Sequence, residues 1–335
     1  MKAWQLERFG IEGLALRDVP VPDPGPGQVR VGIEAISLNY RDLLVVRGQY
    51  NPHFALPAVP VSDGAGTVTA VGDGVEDVAV GDRVMTHFIA DWQDGRFEER
   101  YLGGTLGLPG PGVAAEEVVL PAHAVVRVPD GWSSEQAATL PIAALTAWCG
   151  LLEDGGLEPG GTALCVGTGG VSVFGVQIAA ALGARPIVTS SSDAKLARAR
   201  ELGAEFGINY ATNPEWDTGV LEATGGLGAD VTLEIGGAGT LERSIRATRA
   251  GGTISVIGVL AGVETKLSTV TFMMRRQRLQ GILVGPRAAF ERMVAFLDEH
   301  DVRPVIDRRF AFDELPAALE ALGQGRHFGK IVIAG

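Results

Sequence analysis

Gly167-Thr168-Gly169-Gly170-Val171-Ser172 is the stretch whose residue types and spacing speak most directly of chemistry. It lies between an apolar run from Thr162 to Gly167 and a helix-forming run from Val173 to Leu182 closed by Gly183. Glycines in that context let backbone N–H groups approach a pyrophosphate at a helix N-terminus. Ser172 stands where a third glycine would usually be, so the fingerprint is incomplete, and a tight turn alone is the plainer alternative. A second apolar run, Pro186-Ile187-Val188-Thr189, follows after about twenty residues, as a dinucleotide-binding unit requires. Ser190-Ser191-Ser192 and Lys195 come next. Hydroxyls and an ammonium suit a ribose 2′-phosphate, whereas a carboxylate at this point would hold a 2′-hydroxyl and repel the phosphate. NADPH is therefore favoured. Asp193, read as the N-cap of the next helix, is near enough to keep NADH open, and Tyr210 either stacks beside the adenine or simply packs.

The rest of the chain must position these groups. Its 335 residues are 46% hydrophobic and 20% charged, enough for two domains with real cores and too apolar for a disordered chain. With 28 basic against 40 acidic residues the net charge is −12, which repels polyanions and disfavours nucleic-acid binding. Cys149 and Cys165 are the only cysteines and both sit in apolar text, giving neither a disulfide framework nor a cysteine-rich zinc site. The N-terminal segment has no apolar leader and no later stretch is long and apolar enough to span a bilayer, so a soluble cytoplasmic protein without membrane contact is expected.

Two grammars divide the sequence. Up to about Val128, short β-branched runs such as Gln28–Ile33 and Gly66–Gly72 are broken by Gly and Pro, which predicts a small β-barrel. The proline-rich segment Asp18–Gln28 reads as an extended arm, and Asn39–Gly48 as the helical exception. From about Trp132, strands alternate with helices. Further strands are predicted over Phe206–Tyr210, Val231–Ile235, Thr253–Val259 and Gln280–Val284, making six in a doubly wound parallel sheet. Gly236-Gly237, Gly258-Val259 and Val284-Gly285 then fall at the carboxyl ends of strands, where backbones would line the nicotinamide half of a ligand. Arg275, Arg276 and Arg278 form a basic cluster, either a solvated face or a grip on a phosphate-bearing substrate. His327 and Lys330 read as surface residues.

Taken in order, Asn39-Tyr40-Arg41-Asp42, Gly48-Gln49-Tyr50, Gly64-Ala65-Gly66, Gly81-Asp82-Arg83-Val84, Ala137–Trp148, Gly167–Val171, Glu234-Ile235-Gly236-Gly237 and Gly329-Lys330-Ile331-Val332 resemble the medium-chain dehydrogenase/reductase superfamily, in its zinc-independent, quinone-oxidoreductase-like branch. The resemblance implies an α/β fold in which a GroES-like β-barrel domain (1–125 and 286–335) carries an inserted Rossmann domain (126–285). It also implies a homodimer, with Thr253–Val259 and Gln280–Val284 as candidate joining edges. Zinc members of the superfamily hold the metal with Cys, His and a second Cys or Asp. Here those places read Asn39, Ser62 and Ile142, and Asp91–Gly112, which would carry a structural site, has no cysteine, so no metal is expected. A hidden site of His53, Asp63 and His87 is the alternative.

Without a Lewis acid, hydrogen-bond donors must stabilise the oxyanion or enolate formed on hydride transfer. The resemblance offers Tyr50 as proton donor or enolate stabiliser, Asn39 beside the nicotinamide and Thr146 approaching the same ring, while Asp42, one helical turn beyond Asn39, either orients it or caps the helix. The expected function is NADPH-dependent reduction of an activated C=C bond or a quinone. Carbonyl reduction or alcohol oxidation without metal stays open, as does a non-catalytic NADPH-binding protein.

Overall fold

The computed structural model describes residues 1–334. They fall into two compact units, the first comprising Met1–Ala143, Gly285–Asp298 and the chain from Arg303 onward, the second Ala144–Val284 with Glu299–Val302. The first crossing comes at Ala143, later than the 125/126 boundary read from the sequence, because Ser134–Ala138 packs on strands of the first unit.

The first unit opens with the hairpin of β1 (Lys2–Leu6) and β2 (Leu14–Asp18), after which the prolines hold the chain out of any sheet until β3 (Gln28–Ser37). Then follow α1 (Tyr40–Val46), β4 (Asp63–Val71), β5 (Arg83–Thr86), β6 (Glu117–Pro121), β7 (Val125–Arg127) and α2 (Ser134–Ala138). β3 is the spine of this sheet. It runs antiparallel to β4 from Val29 to Ser37 with two breaks in register, while its other edge pairs first with β6 over Gln28–Gly32 and then with the C-terminal strand over Ala35–Ser37. Val29, Val31, Ile36, Leu43, Leu120 and Ile331 are among the side chains of its core.

The chain enters the second unit along α3 (Leu145–Trp148), which is flanked by single wide turns of π-helix, Leu140–Ala144 and Cys149–Glu153. β8 (Thr162–Cys165), α4 (Gly170–Ala181), β9 (Arg185–Ser190), α5 (Asp193–Glu201), β10 (Phe206–Asn209), α6 (Trp216–Ala223), β11 (Ala229–Glu234), α7 (Leu241–Ala247), β12 (Thr248–Val256), α8 (Thr269–Arg275) and β13 (Arg278–Gly281) complete it. The six strands are parallel in the order β10-β9-β8-β11-β12-β13, so the expected doubly wound sheet is present, with the change of winding direction beside β8. β12 and β13 end at Val256 and Gly281, earlier than the sequence suggested.

The chain returns to the first unit through α9 (Arg287–Glu299), β14 (Ile306–Ala311), α10 (Leu315–Gly323) and β15 (Lys330–Ala334). β15 lies parallel to β14 and antiparallel to β3, so residues near the C-terminus sit beside the entry to α1. No helix among the described residues is long and apolar enough to cross a membrane.

Candidate active site

In the second unit the turn after β8 takes the shape its glycines allow. Gly167 has φ +84°, and a Cβ on Gly169, the N-cap of α4, would meet open space. The Ser172 hydroxyl donates to Val166 O at 2.7 Å, which fixes the turn against the strand it leaves. The residue that broke the fingerprint is therefore its latch. At the end of β9, the Ser190 hydroxyl is buried, 3.5 Å from Thr168 Oγ1, and accepts from the Ser192 N–H at 3.3 Å. Ser191 is exposed. The cap of α5 is Ser192, which accepts from the Lys195 N–H at 3.4 Å. Asp193, expected as that cap, is the first helical residue instead, and its carboxylate accepts from Asn209 Nδ2 at 2.8 Å. Tyr210 is half exposed, and its N–H donates to Ser190 O at 2.9 Å.

Glu234, which sequence reasoning gave no role, organises the far side of this end of the sheet. Buried at the end of β11, its Oε1 accepts from Gly236 N–H at 2.8 Å, Gly237 N–H at 2.9 Å and Thr240 Oγ1 at 2.5 Å, and its other oxygen accepts from Ser244. Only a glutamate closing an apolar strand before two glycines hinted at this. Gly258 lies against Ile235, with Val259 exposed beyond it, while Val284 adopts φ +56° where the chain leaves the unit. Gly285 belongs to the first unit, where its carbonyl accepts from His87 Nε2 at 3.1 Å. Thr146 is buried within α3 in the second unit. Of the basic cluster, Arg275 donates to the carbonyls of Arg246 and Thr248 and Arg278 to that of Asp154, while Arg276 is exposed.

The first unit holds a buried ionic network around the N-terminus of α1. Asn39 is the N-cap, and Asp42 three residues on reaches back to its N–H at 2.8 Å. The Asn39 side chain turns elsewhere. Its Nδ2 donates to Asp63 Oδ2 at 2.8 Å, and its Oδ1 accepts from Lys330 Nζ at 2.6 Å. Asp63 also accepts from the Ile142 N–H at 3.1 Å and from Ser62 Oγ at 3.0 Å. Lys330, read as a surface residue from the sequence, is 3% exposed and donates in addition to Leu38 O at 2.7 Å. Nothing local foretells its burial, because its partners come from the other end of the chain.

Burial pushes the Asp63 carboxyl up to about 6, with Lys330 opposing and Asp42 adding to the rise. Burial likewise raises Asp42, against the pull of Arg41, and lowers the Lys330 ammonium, against the pull of the two carboxylates. Tyr50 stands outside this network. The residue is 44% exposed, and its ring packs on Phe54 at 6.4 Å between centroids and on the Arg41 guanidinium at 4.9 Å, leaving the hydroxyl without a partner among the described residues. Arg41 is itself held by the carbonyls of Gly107 and Leu108.

Comparisons with known proteins agree with this architecture. Residues 25–130 match the family described as "Alcohol dehydrogenase GroES-like domain" and residues 170–299 that described as "Zinc-binding dehydrogenase". A zinc-type alcohol dehydrogenase-like protein of Schizosaccharomyces pombe is 41% identical over 98% of this chain and 96% of its own. Among solved structures, an NAD-dependent alcohol dehydrogenase superposes with a TM-score of 0.91 at 36% identity, covering 100% of both chains. A quinone oxidoreductase of Pseudomonas syringae pv. tomato DC3000 superposes with a TM-score of 0.83 at 27% identity, covering 100% of this chain and 99% of that one. The chain belongs to the medium-chain dehydrogenase/reductase superfamily. It is an oxidoreductase of the alcohol dehydrogenase and quinone oxidoreductase kind, working with a nicotinamide cofactor, and the non-catalytic alternative is set aside.

The family implies two groups, and the residues treat them differently. The glycine turn, the open N-terminus of α4 and the hydroxyls after β9 fit a dinucleotide. Zinc does not fit. At the three ligand positions the Asn39 amide oxygen is taken by an ammonium, the Ser62 hydroxyl is given to Asp63, and Ile142 offers an alkyl group. His53, Asp63 and His87 do not converge either, since the buried His87 ring meets Gly285 O and Phe290. Among the described residues no three His, Cys, Asp or Glu side chains gather to hold a metal.

Proposed function

We propose that this chain is a zinc-independent, NADPH-dependent reductase of an activated C=C bond or a quinone, acting on a small molecule in the cytoplasm. The observation that supports the proposal is the Asn39–Asp63–Lys330 network, in which a protein cation and a directed amide gather around the residue that the family resemblance aligns with a metal ligand. A bound nicotinamide would supply the hydride, and conjugated carbonyl systems accept it without a Lewis acid more readily than simple ketones do. Gly167, Thr168, Gly169, Gly170 and Val171 would hold the pyrophosphate. Exposed Ser191 and the neighbouring Lys195 would meet a 2′-phosphate, with Tyr210 beside them and Gly236, Gly258 and Val259 toward the nicotinamide. Engagement of Asp193 by Asn209 supports NADPH, because that carboxylate is already used. Asn39 would donate to the developing oxyanion, Tyr50 would supply the proton through its unpaired hydroxyl, and Thr146 would line the ring.

The test is a metal-analysed preparation titrated with NADPH and NADH, then offered enones, quinones, ketones and alcohols. Expected are tighter NADPH binding by about tenfold or more, no stoichiometric zinc, and turnover of enones or quinones. Preferred NADH, or fast oxidation of simple alcohols with bound zinc, would overturn the proposal. Exposed Val259, Leu260, Val263, Met273 and Met274, the last 73% exposed, lie on the segment leading to edge strand β13. They support a homodimer joined there. Light scattering should give about twice the chain mass, and a monomer insensitive to Met274→Glu would exclude it.

A further inference from the structure

Resting on the reading of Asn39 as the donor to substrate oxygen, a second step concerns how that amide is aimed. An asparagine amide is nearly symmetric in shape, and only its partners decide which end is the donor. Here the partners are opposite charges. Lys330 Nζ stands 2.6 Å from Oδ1 and Asp63 Oδ2 stands 2.8 Å from Nδ2. A flipped amide would face its N–H groups to an ammonium and its oxygen to a carboxylate, so one orientation alone survives. In that orientation one Nδ2 hydrogen is spent on Asp63, and the other has no acceptor among the described residues, on a side chain that keeps 8% exposure.

Both anchors are themselves fixed. Pairing of β15 with β3 carries Lys330 to the end of β3, where Leu38 O takes another of its hydrogens at 2.7 Å. Asp63 opens β4, and Ser62 Oγ on Oδ1 and the Ile142 N–H on Oδ2 hold its carboxylate from two further directions. We propose that Lys330 and Asp63 are positioning residues that clamp the Asn39 amide in a single orientation, so that its free Nδ2 hydrogen serves as a fixed donor to the oxygen of the reacting carbonyl system. Neither anchor needs to touch substrate. Loss of either should disable Asn39 without changing which acceptors are reduced.

The experiment compares wild type with Asn39→Ala, Lys330→Met, Asp63→Asn, the Asn39→Ala/Lys330→Met double variant and Lys330→Arg. Kinetics on the best enone or quinone are read together with the side-chain amide signal of Asn39 in the ¹⁵N-labelled, cofactor-free protein. Asn39→Ala and Lys330→Met should each lower kcat by ~100-fold, the scale of a lost or misplaced donor, with KM for NADPH within about twofold. The double variant should be no worse than the singles, because residues acting through one another are not additive. Lys330→Arg should recover most of kcat. The two Asn39 Nδ2 protons should be resolved in wild type, then shift and broaden in Lys330→Met and Asp63→Asn.

A multiplicative loss in the double variant, or Lys330→Met retaining kcat while Asn39→Ala loses it, would overturn the clamp and leave Asn39's own role standing. Full activity in Asn39→Ala would instead overturn the donor reading, and the amide signal would then decide separately whether Lys330 orders the side chain. Lys330→Gln, which keeps a donor without the charge, takes the place of Lys330→Met if that variant does not fold.

Discussion

Asp63 should make the stability of the protein depend on pH in a direction opposite to that of most carboxylates. Its carboxyl is pushed by burial from the ordinary 3.8 up to about 6, so the folded chain holds this proton more tightly than the unfolded chain does. Such a group stabilises the fold fully below the unfolded value, and the contribution is lost as pH rises through the folded value. At 1.36 kcal/mol per pH unit the gap between 3.8 and about 6 is worth ~3 kcal/mol. Of this, ~2 kcal/mol should disappear between about pH 4 and about pH 7. Asp63→Asn has the shape of the neutral acid and does not titrate, so the difference between wild type and variant cancels the distant carboxylates and leaves the titration of Asp63 with its coupling to Asp42 and Lys330. Urea unfolding followed by tryptophan fluorescence across that range should show wild type losing ~2 kcal/mol relative to Asp63→Asn as pH rises. A difference flat to within about 0.5 kcal/mol, or one that moves in wild type's favour, would refute burial as the dominant influence and imply that Lys330 compensates it in full.

Other outcomes follow from single contacts. A Cβ on Gly258 would lie 2.0 Å from Ile235 O, so Gly258→Ala should destabilise the second unit by ~4 kcal/mol or more, and a thermal midpoint within about two degrees of wild type would contradict it. Glu234→Gln weakens three hydrogen bonds to Oε1 by removing the charge, for ~2–3 kcal/mol in urea unfolding together with weaker NADPH binding. An unchanged urea midpoint would mean that Gly236 and Gly237 do not depend on it. Tyr50→Phe keeps the ring on Arg41 and Phe54 and removes only an unpaired hydroxyl, so stability should hold while kcat falls ~100-fold or more. Activity within about twofold of wild type would remove Tyr50 as the proton donor.

What the sequence made legible is what the backbone demands locally. Gly167 could be read because a turn with φ +84° admits few other residues, and the strand and helix around it announce themselves by composition. The α5 cap slipped by one residue for an equally local reason: Ser192 and Asp193 are both competent caps, and only the course of the chain out of β9 decides between them. Lys330 was illegible for the opposite reason. A lysine beside Gly329 and before Ile331-Val332-Ile333 carries no sign of burial, since burial depends on carboxylates and an amide reached by a bond across 291 residues.

The same distance explains why Asn39, Ser62 and Ile142 could be read at the positions that the resemblance gives to metal ligands, while the carboxylate they share could not. Asn39, Ser62 and Ile142 each look like an isolated substitution, yet in the fold all three address Asp63, through an amide, a hydroxyl and a backbone N–H. A buried carboxylate with three neutral donors still needs a cation nearby to stay ionised in an apolar interior. The closing strand β15 supplies it in Lys330, whose ammonium also takes the oxygen of Asn39. The network is therefore electrostatically closed without a metal. A cation brought into it would have to displace Lys330 from Asn39 or Ser62 from Asp63, so the metal-free chemistry proposed above depends on the pairing of the last strand.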